Sequence, residues 1–326
     1  MTLAPAEIAG PDGQMPIDRA QPHVAILMAT YNGADFLPDQ LASFLAQSHR
    51  NWSLWVSDDG STDDTLAILT RFGTDHPDHR LTILRGPGRG AAVNFLSLIC
   101  SPVVFSGSVA LSDQDDVWLP GKLARAVECL TLTGEGQPAA YGARTHLADA
   151  ALRVYGLSPH HRQPAGFHNA VVQNILGGNS TVLNQAAVAL LRRAGIPEGV
   201  AFHDWWIYLV ISGAGGRVMI DSEPVLVYRQ HRGNTLGTNA GMAAFARRIA
   251  QVFGRDYRRW HRSNIAALLR IGAELTPVNR ARLVTYSRSL GHGGPRQAIA
   301  MWTLGFRRQT ALGTALVLLA ALLGRL

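Results

Sequence analysis

Residues 24–33 read VAILMATYNG, and this stretch decides the fold. Val24 to Ala29 is an unbroken apolar run, as a strand buried on both faces of a sheet requires. Thr30-Tyr31-Asn32-Gly33 then interrupts it with turn-forming residues. Leu37, Leu41, Phe44 and Leu45 follow at helical spacing, which predicts a helix packed back on the strand. The same unit repeats outward. Trp52 to Ser57 is a second strand, and Ser61 or Thr62 with Asp63 and Asp64 supplies a cap and acidic first turn for a second helix. Leu81 to Leu84 is a third strand, Ala91 to Ile99 a short helix, and Val109 to Leu111 a fourth strand running into Ser112-Asp113-Gln114-Asp115-Asp116. Strands alternating with helices predict an α/β fold with a mostly parallel, Rossmann-like sheet and flanking helices.

Three polar clusters fall at equivalent places, after the first, second and fourth strands: Thr30 to Gly33, Asp58 to Ser61, and Asp113 to Asp116. Ligands of open parallel sheets bind beyond the carboxyl ends of the strands, so the three clusters mark one site. Asp113, Asp115 and Asp116 repel one another unless a cation or protons intervene, and a hard divalent ion such as Mg²⁺ or Mn²⁺ resolves this through oxygen ligands. Residues i and i+2 of an extended strand end point the same way, so Asp113 and Asp115 are expected to converge while Asp116 faces elsewhere. The alternative is a solvated acidic turn with Asp116 capping the helix that starts near Pro120. Asp58 and Asp59 read either as turn residues or as acceptors for the imide N–H of a pyrimidine base. Thr30, Tyr31 and Asn32 form a turn or place an aromatic ring and an amide against that base.

Downstream the pattern loosens beyond residue 140. Gly177-Gly178-Asn179-Ser180, a helix near Gln185 to Ala194, and His203-Asp204-Trp205-Trp206 opening another helix come next. Arg217 to Ile220 and Pro224 to Tyr228 read as two strands, the second ending in Arg229-Gln230-His231. Asp204 is a helix cap or, if buried beside its tryptophans, a carboxylate of raised pKa suited to general-base chemistry.

Composition sets the limits. Of 326 residues, 47% are hydrophobic and 16% charged, which excludes a disordered chain, and no apolar run reaches the ~20 residues of a spanning helix. Cys100 and Cys129 sit among apolar neighbours and cannot make a disulfide framework, so a reducing compartment is expected. Residues 1–22, with four prolines and scattered acids, read as a loose leader and not a signal peptide. The net charge of +7 is split unevenly, because residues 241–326 hold 14 arginines against two acids while the rest of the chain is acidic. That basic part is helical throughout by pattern, Met242, Phe245, Ile249, Val252 and Phe253 giving one apolar face. Ala311 to Leu323 is apolar nearly all round, too short to span a bilayer, and is expected to lie in an anionic membrane interface, with a final core helix as the alternative. Three regions result: the leader 1–22, an α/β domain 23–240, and a basic helical region 241–326 ending in the apolar tail.

The blocks VAILMATYNG (24–33), VSDDGSTDDT (56–65), LSDQDDVWLPGKL (111–123), NILGGNSTVLN (174–184), FHDWW (202–206) and VLVYRQH (225–231) resemble, in that order, the inverting family 2 glycosyltransferases of GT-A fold, most closely their bacterial rhamnosyltransferase-like branch. The resemblance implies transfer of one sugar, leaning toward rhamnose, from a nucleoside-diphosphate donor to a glycan or lipid-linked acceptor hydroxyl in cell-surface polysaccharide assembly. Such an enzyme works in the cytoplasm, peripherally on the inner membrane. Carried over by position, it implies Asp204 as catalytic base. Thr30, Tyr31, Asn32, Asp58, Asp59, Asn94, Asp113, Gly178 and Asn179 would then surround the nucleotide sugar, with Asp113, Asp115 and His231 at the metal and Trp205 and Trp206 toward the acceptor. No Q-x-x-R-W block is present, which speaks against a processive synthase. A binding protein on the same fold, for nucleotide sugar or for nucleic acid, is the competing class. Nucleic acid is disfavoured because the aromatics of the arginine-rich part fall at helix-core spacing.

Overall fold

In the computed structural model, residues 21–104, 107–134, 136–231 and 253–326 are described. The expected βαβ units form: β1 (Val24–Thr30), α1 (Leu37–Leu45), β2 (Trp52–Asp58), α2 (Thr65–Asp75), β3 (Leu81–Arg85), α3 (Ala91–Cys100) and β4 (Ser108–Ser112). β1 lies between β2 and β4, and β2 pairs β3, all in parallel. Along β1 the side chains alternate between two cores. Ala25 and Leu27 face one that includes α3 residues Phe95 and Leu98, while Val24, Ile26 and Met28 face another with Leu41 and Phe44 of α1. A strand buried on both faces therefore needs apolar residues at every position, which is what the run supplies.

The second half widens the sheet. β5 (Val117–Trp118) and α4 (Lys122–Thr131) lead to β6 (Ala139–Ala148) and β7 (Val154–Leu157), then to α5 (Phe167–Ala170), β8 (Val182–Asn184), α6 (Gln185–Ala194), α7 (His203–Gly213) and β9 (Arg217–Arg229). The strand order is β3-β2-β1-β4-β8-β6-β9-β5 with β7 on β6. Its β4–β8, β8–β6, β6–β7 and β9–β5 contacts are antiparallel, while most paired positions lie in parallel ladders. The looser stretch beyond 140 thus holds two strands, β6 and β7, followed by a largely irregular segment to residue 181 that contains the short α5. β6 escapes the sequence pattern because Gly142, Arg144, Thr145 and His146 break any apolar run. The two strands expected over 217–228 are one strand, shifted in register beside Ala143 and Arg144 of β6.

Among the described residues the helices α8 (Arg255–Arg270), α9 (Pro277–Ser289), α10 (Gly294–Thr303) and α11 (Ala311–Leu322) follow. They share a core with the sheet, since Tyr257, Leu268, Tyr286, Met301 and Val317 cluster with Trp206 and Leu209 of α7. α7 is covered on all sides, and every residue from Trp205 to Gly213 is buried. Residues 1–20 of the leader, the expected boundary at 240/241 and Met242 to Val252 lie outside the described residues. Gln21 and Pro22 are held, through Arg50 N–H to Gln21 Oε1 at 3.0 Å and His49 Nε2 to the Pro22 carbonyl at 2.8 Å.

Candidate active site

The parallel strands end side by side, Thr30 opposite Asp58 and Met28 opposite Ser112, and their loops wall a cleft of about 650 Å³. Tyr31, Asp59, Asn94, Asp113, Asp115, Gly178, Asn179 and Asp204 all line it. Asn32 holds a positive φ of 47° at the first turn, where its N–H donates to Ser61 Oγ (2.9 Å) and its Oδ1 accepts from the Thr62 N–H (2.8 Å). Two turns are stapled together, and Tyr31 is left 58% exposed at the mouth.

Asp58 is buried beneath this turn. Its carboxylate accepts from Thr30 Oγ1, Ser61 Oγ and the Gly60 and Ser61 N–H groups. Burial works to raise its pKa, but these hydrogen bonds prevail and hold it below the usual carboxylate range. Neither Asn32 nor Asp58 is among the residues that line the cleft; the Asp58 carboxylate and the Asn32 Oδ1 are taken up by the two turns. Asp59 behaves differently: it lines the cleft and accepts from the Gly88 and Gly90 N–H groups, both at 3.0 Å, closing the glycine loop ahead of α3. Asn94 donates to the Ser57 carbonyl at 2.9 Å.

At the end of β4 a ligand oxygen from each of Asp113, Asp115 and Asp116 lies within 4.8 Å of the others. Asp116 was expected to face away or to cap a helix. It does neither, since α4 has Gly121 at its cap without a side-chain bond. It is fully buried, accepting from Asn179 Nδ2 (2.7 Å) and the Arg229 N–H (3.1 Å). Burial, followed by the charges of Asp115 and Asp204, raises Asp113 to about 7, and burial with its two neighbours raises Asp116. Three carboxylates at this spacing fit a divalent cation. His231 reaches the same place, its Nε2 2.7 Å from Asp115 Oδ2.

Asp204 lines the same cleft, close enough for its charge to raise the pKa of Asp113. The cap of α7 is Phe202, so Asp204 lies in the first turn and the capping alternative falls. Its Oδ1 accepts from the Trp205 N–H (2.7 Å) and its Oδ2 from the Gly178 N–H (3.3 Å). Burial lifts its pKa to about 6 against these bonds and one from the Asn174 side chain. Such a carboxyl is ionised at neutral pH and still basic enough to take a proton. Trp205 and Trp206, expected toward the acceptor, do not line the cleft. They are 4% and 0% exposed, packed in the core behind Asp204, with Trp205 Nε1 donating to the Ala170 carbonyl.

Several residues that hold the site were not singled out by the sequence. Gln114, the middle residue of D-x-D, clamps the Tyr31 backbone, accepting from its N–H (3.0 Å) and donating to its carbonyl (3.1 Å). A Cβ on Gly33 would strike that amide at 2.3 Å. Lys122 is fully buried near Asp116 and Asp113, donates to the Asn179 carbonyl at 2.6 Å, and lies 3.3 Å from the Trp118 ring centroid. The Arg229 side chain bonds the Asp115 and Ala150 carbonyls and pairs with Asp39. All lay within or beside recognised blocks, but only packing shows what they touch.

Residues 25–146 match the family described as Glycosyl transferase family 2. The chain is 28% identical over 241 residues to the dTDP-rhamnosyl transferase RfbG of Shigella flexneri, covering 71% of this chain and 81% of that protein. Its fold resembles that of the mannosyltransferase PcManGT from Pyrobaculum calidifontis, solved in complex with GDP-Man and Mn²⁺, with TM-score 0.53, 20% identity and coverage of 92% and 86% of the two chains. It also resembles S. aureus TarS 1–349 in complex with UDP-GlcNAc, at TM-score 0.51 and 15% identity over 87% of this chain and 90% of that one. Residues 25–146 thus match a Glycosyl transferase family 2 domain, and the chain shares the GT-A fold of these two solved structures.

Proposed function

We propose that the protein moves one sugar from a nucleoside diphosphate to an acceptor hydroxyl with inversion at the anomeric carbon. The observation that carries this reading is the pairing, in one cleft, of a three-carboxylate cluster with a separate carboxyl whose pKa is about 6. The nucleotide would lie along Tyr31, Asp59 and Asn94, its diphosphate toward Asp113 and Asp115, and its sugar over Gly178 and Asn179. Mg²⁺ or Mn²⁺ held by Asp113, Asp115 and His231 would neutralise charge on the departing diphosphate. Asp204 accepts the acceptor's proton as that oxygen attacks from the face opposite the leaving group, and its hydrogen bonds from Gly178 and Trp205 fix the carboxylate for that transfer. Since Asn179 donates to Asp116 and Gly178 donates to Asp204, one short loop ties the cluster to the base.

The similarity to a dTDP-rhamnosyl transferase supports rhamnose as the sugar and a cell-surface glycan, free or lipid-linked, as the acceptor. Lipid-linked acceptors would be met in the cytoplasm at the inner membrane. No helix among the described residues is long and apolar enough to cross a membrane, so contact would be peripheral. A panel of nucleotide sugars assayed for transfer and hydrolysis, with and without Mn²⁺, tests the proposal. Turnover of a deoxythymidine-diphosphate deoxysugar that requires the metal is expected, and nucleotide-sugar binding without any turnover would overturn it.

A further inference from the structure

The last two helices carry an apolar face that the active site does not use. α10 and α11 each bury one stripe in the core, Met301 from the first and Val317, Ala320 and Ala321 from the second. They run antiparallel in close contact, since a Cβ on Gly294 at the start of α10 would strike the Leu322 backbone at the end of α11. The opposite stripes are exposed. α10 presents Ile299 and Trp302, 63% and 71% exposed, and α11 presents Leu312, Leu319 and Leu322, with Leu323 just beyond. Single exposed apolar residues are ordinary, but six on one hairpin make a patch that marks an interaction surface.

Charge narrows the partner. From Leu275 to Leu326 the chain has seven arginines and no aspartate or glutamate. Arg296 lies three residues before Ile299, Arg307 and Arg308 sit between the two helices, and Arg325 follows the second. Two copies joined through this face would bring these like charges together. An anionic lipid surface meets both features, taking the apolar stripes below the headgroups, the indole at the boundary and the guanidinium groups among the phosphates. α11 has 12 residues, about 18 Å of helix, which suits lying in the interface and not crossing a ~30 Å core.

We propose that the outward face of the α10–α11 hairpin docks this enzyme on anionic membrane. The reason for docking rests on the proposed lipid-linked acceptor, while the binding itself does not. The hairpin is tied to the acceptor end of the cleft: the Arg307 N–H donates to the His168 carbonyl, and the Gln309 N–H to Gln173 Oε1, one residue before the Asn174 that bonds Asp204. Docking there would bring Asp204 toward the bilayer surface.

The test is co-flotation of the full-length protein with vesicles of phosphatidylglycerol and phosphatidylcholine, or of phosphatidylcholine alone, at low and high salt. Trp302→Asp and Leu319→Asp are compared with the parent, each checked for an unchanged thermal melt and unchanged donor hydrolysis without vesicles. The parent should float with anionic vesicles at low salt and stay soluble with zwitterionic ones, and each variant should lose at least tenfold in bound fraction. Parent protein that stays soluble on anionic vesicles overturns the proposal. So do variants that float like the parent, or a parent that is dimeric without lipid and becomes monomeric on substitution. Loss of donor hydrolysis in the parent would instead count against the transfer reading, which separates the two failures.

Discussion

Two carboxylate groups face the same cleft, and they are built in opposite ways. Asp113, Asp115 and Asp116 crowd at the end of β4 with a buried lysine beside them, while Asp204 is a single buried carboxyl in the first turn of α7, held by hydrogen bonds from Trp205, Gly178 and Asn174. Burial raises the pKa of Asp113 and of Asp204, to about 7 and about 6. At the cluster, repulsion from Asp115 and from Asp204 adds to the effect, so a cation relieves it. At Asp204 hydrogen bonds from Trp205, Asn174 and Gly178 counteract burial and leave a base poised just below neutrality. Shifts in the same direction therefore differ in meaning, because one group fits a metal and the other a proton.

The difference can be broken from either side. The largest effect is expected at the cluster: Asp115→Ala should abolish transfer together with metal-dependent nucleotide binding, because diphosphate and remaining carboxylates would face each other unbridged. Calorimetry with the nucleoside diphosphate, with and without Mn²⁺, checks this, and undiminished metal-dependent binding would remove Asp115 from the metal site. Next, Asp204→Asn should leave donor affinity nearly intact and lower kcat by ~10²–10⁴. Asparagine keeps an oxygen for the Trp205 N–H, so a melt close to the parent's is expected beside the lost rate. The pH profile gives the sign. A base must be ionised, and with a pKa of about 6 in the free protein the parent's kcat/KM should be flat above that pH and fall as pH drops through it. That acid limb should vanish in Asp204→Asn.

Lys122→Met separates the two ends by stability. Removing the buried amine, whose own pKa burial lowers, takes away its attraction for Asp113 and Asp116 and its hydrogen bond to the Asn179 carbonyl, so the melting temperature should fall. Added Mn²⁺ should recover more of the melting temperature in this variant than in the parent, and equal recovery would argue that lysine and metal do not balance the same carboxylates. The smallest effect is expected for Asn174→Ala. Losing that hydrogen bond raises the pKa of Asp204, so the acid limb should move to higher pH while the alkaline plateau stays within about twofold of the parent's. An acid limb that moved to lower pH would show that Asn174 stabilises the protonated form.

How much was legible in the sequence differs between halves of the chain. β1, β2 and β4 are buried on both faces, so they read as largely apolar runs, with only the buried serines Ser53 and Ser57 within β2, and their loops stand out as polar breaks. β6 shares its length among β8, β7 and β9 and mixes Arg144, Thr145 and His146 with small residues, so no period of two survives. Within the site, carboxylates in a tight cluster declare themselves. Gln114 and Arg229 do not, because a single polar residue carries no pattern until its partners, 83 and 114 positions away, are seen beside it. Trp205 and Trp206 misled for a related reason: adjacency to Asp204 in the chain says nothing about which side of α7 faces the cleft, and α7 turns both rings into the core.

The sequence by itself determined the βαβ order, the acidic cluster after β4 and the Asp204 position, since each depends on local runs and short spacings. Only the tertiary structure decided that Asp58 and Asn32 build turns while Asp59 faces the cleft, and that Asp116 joins Asp113 and Asp115. It also decided that the C-terminal tail buries one stripe and exposes the other. Each of these choices depends on which way a side chain points once distant segments compete for the same space, and hydrophobic pattern constrains the face of an element far more tightly than the partner of a polar group.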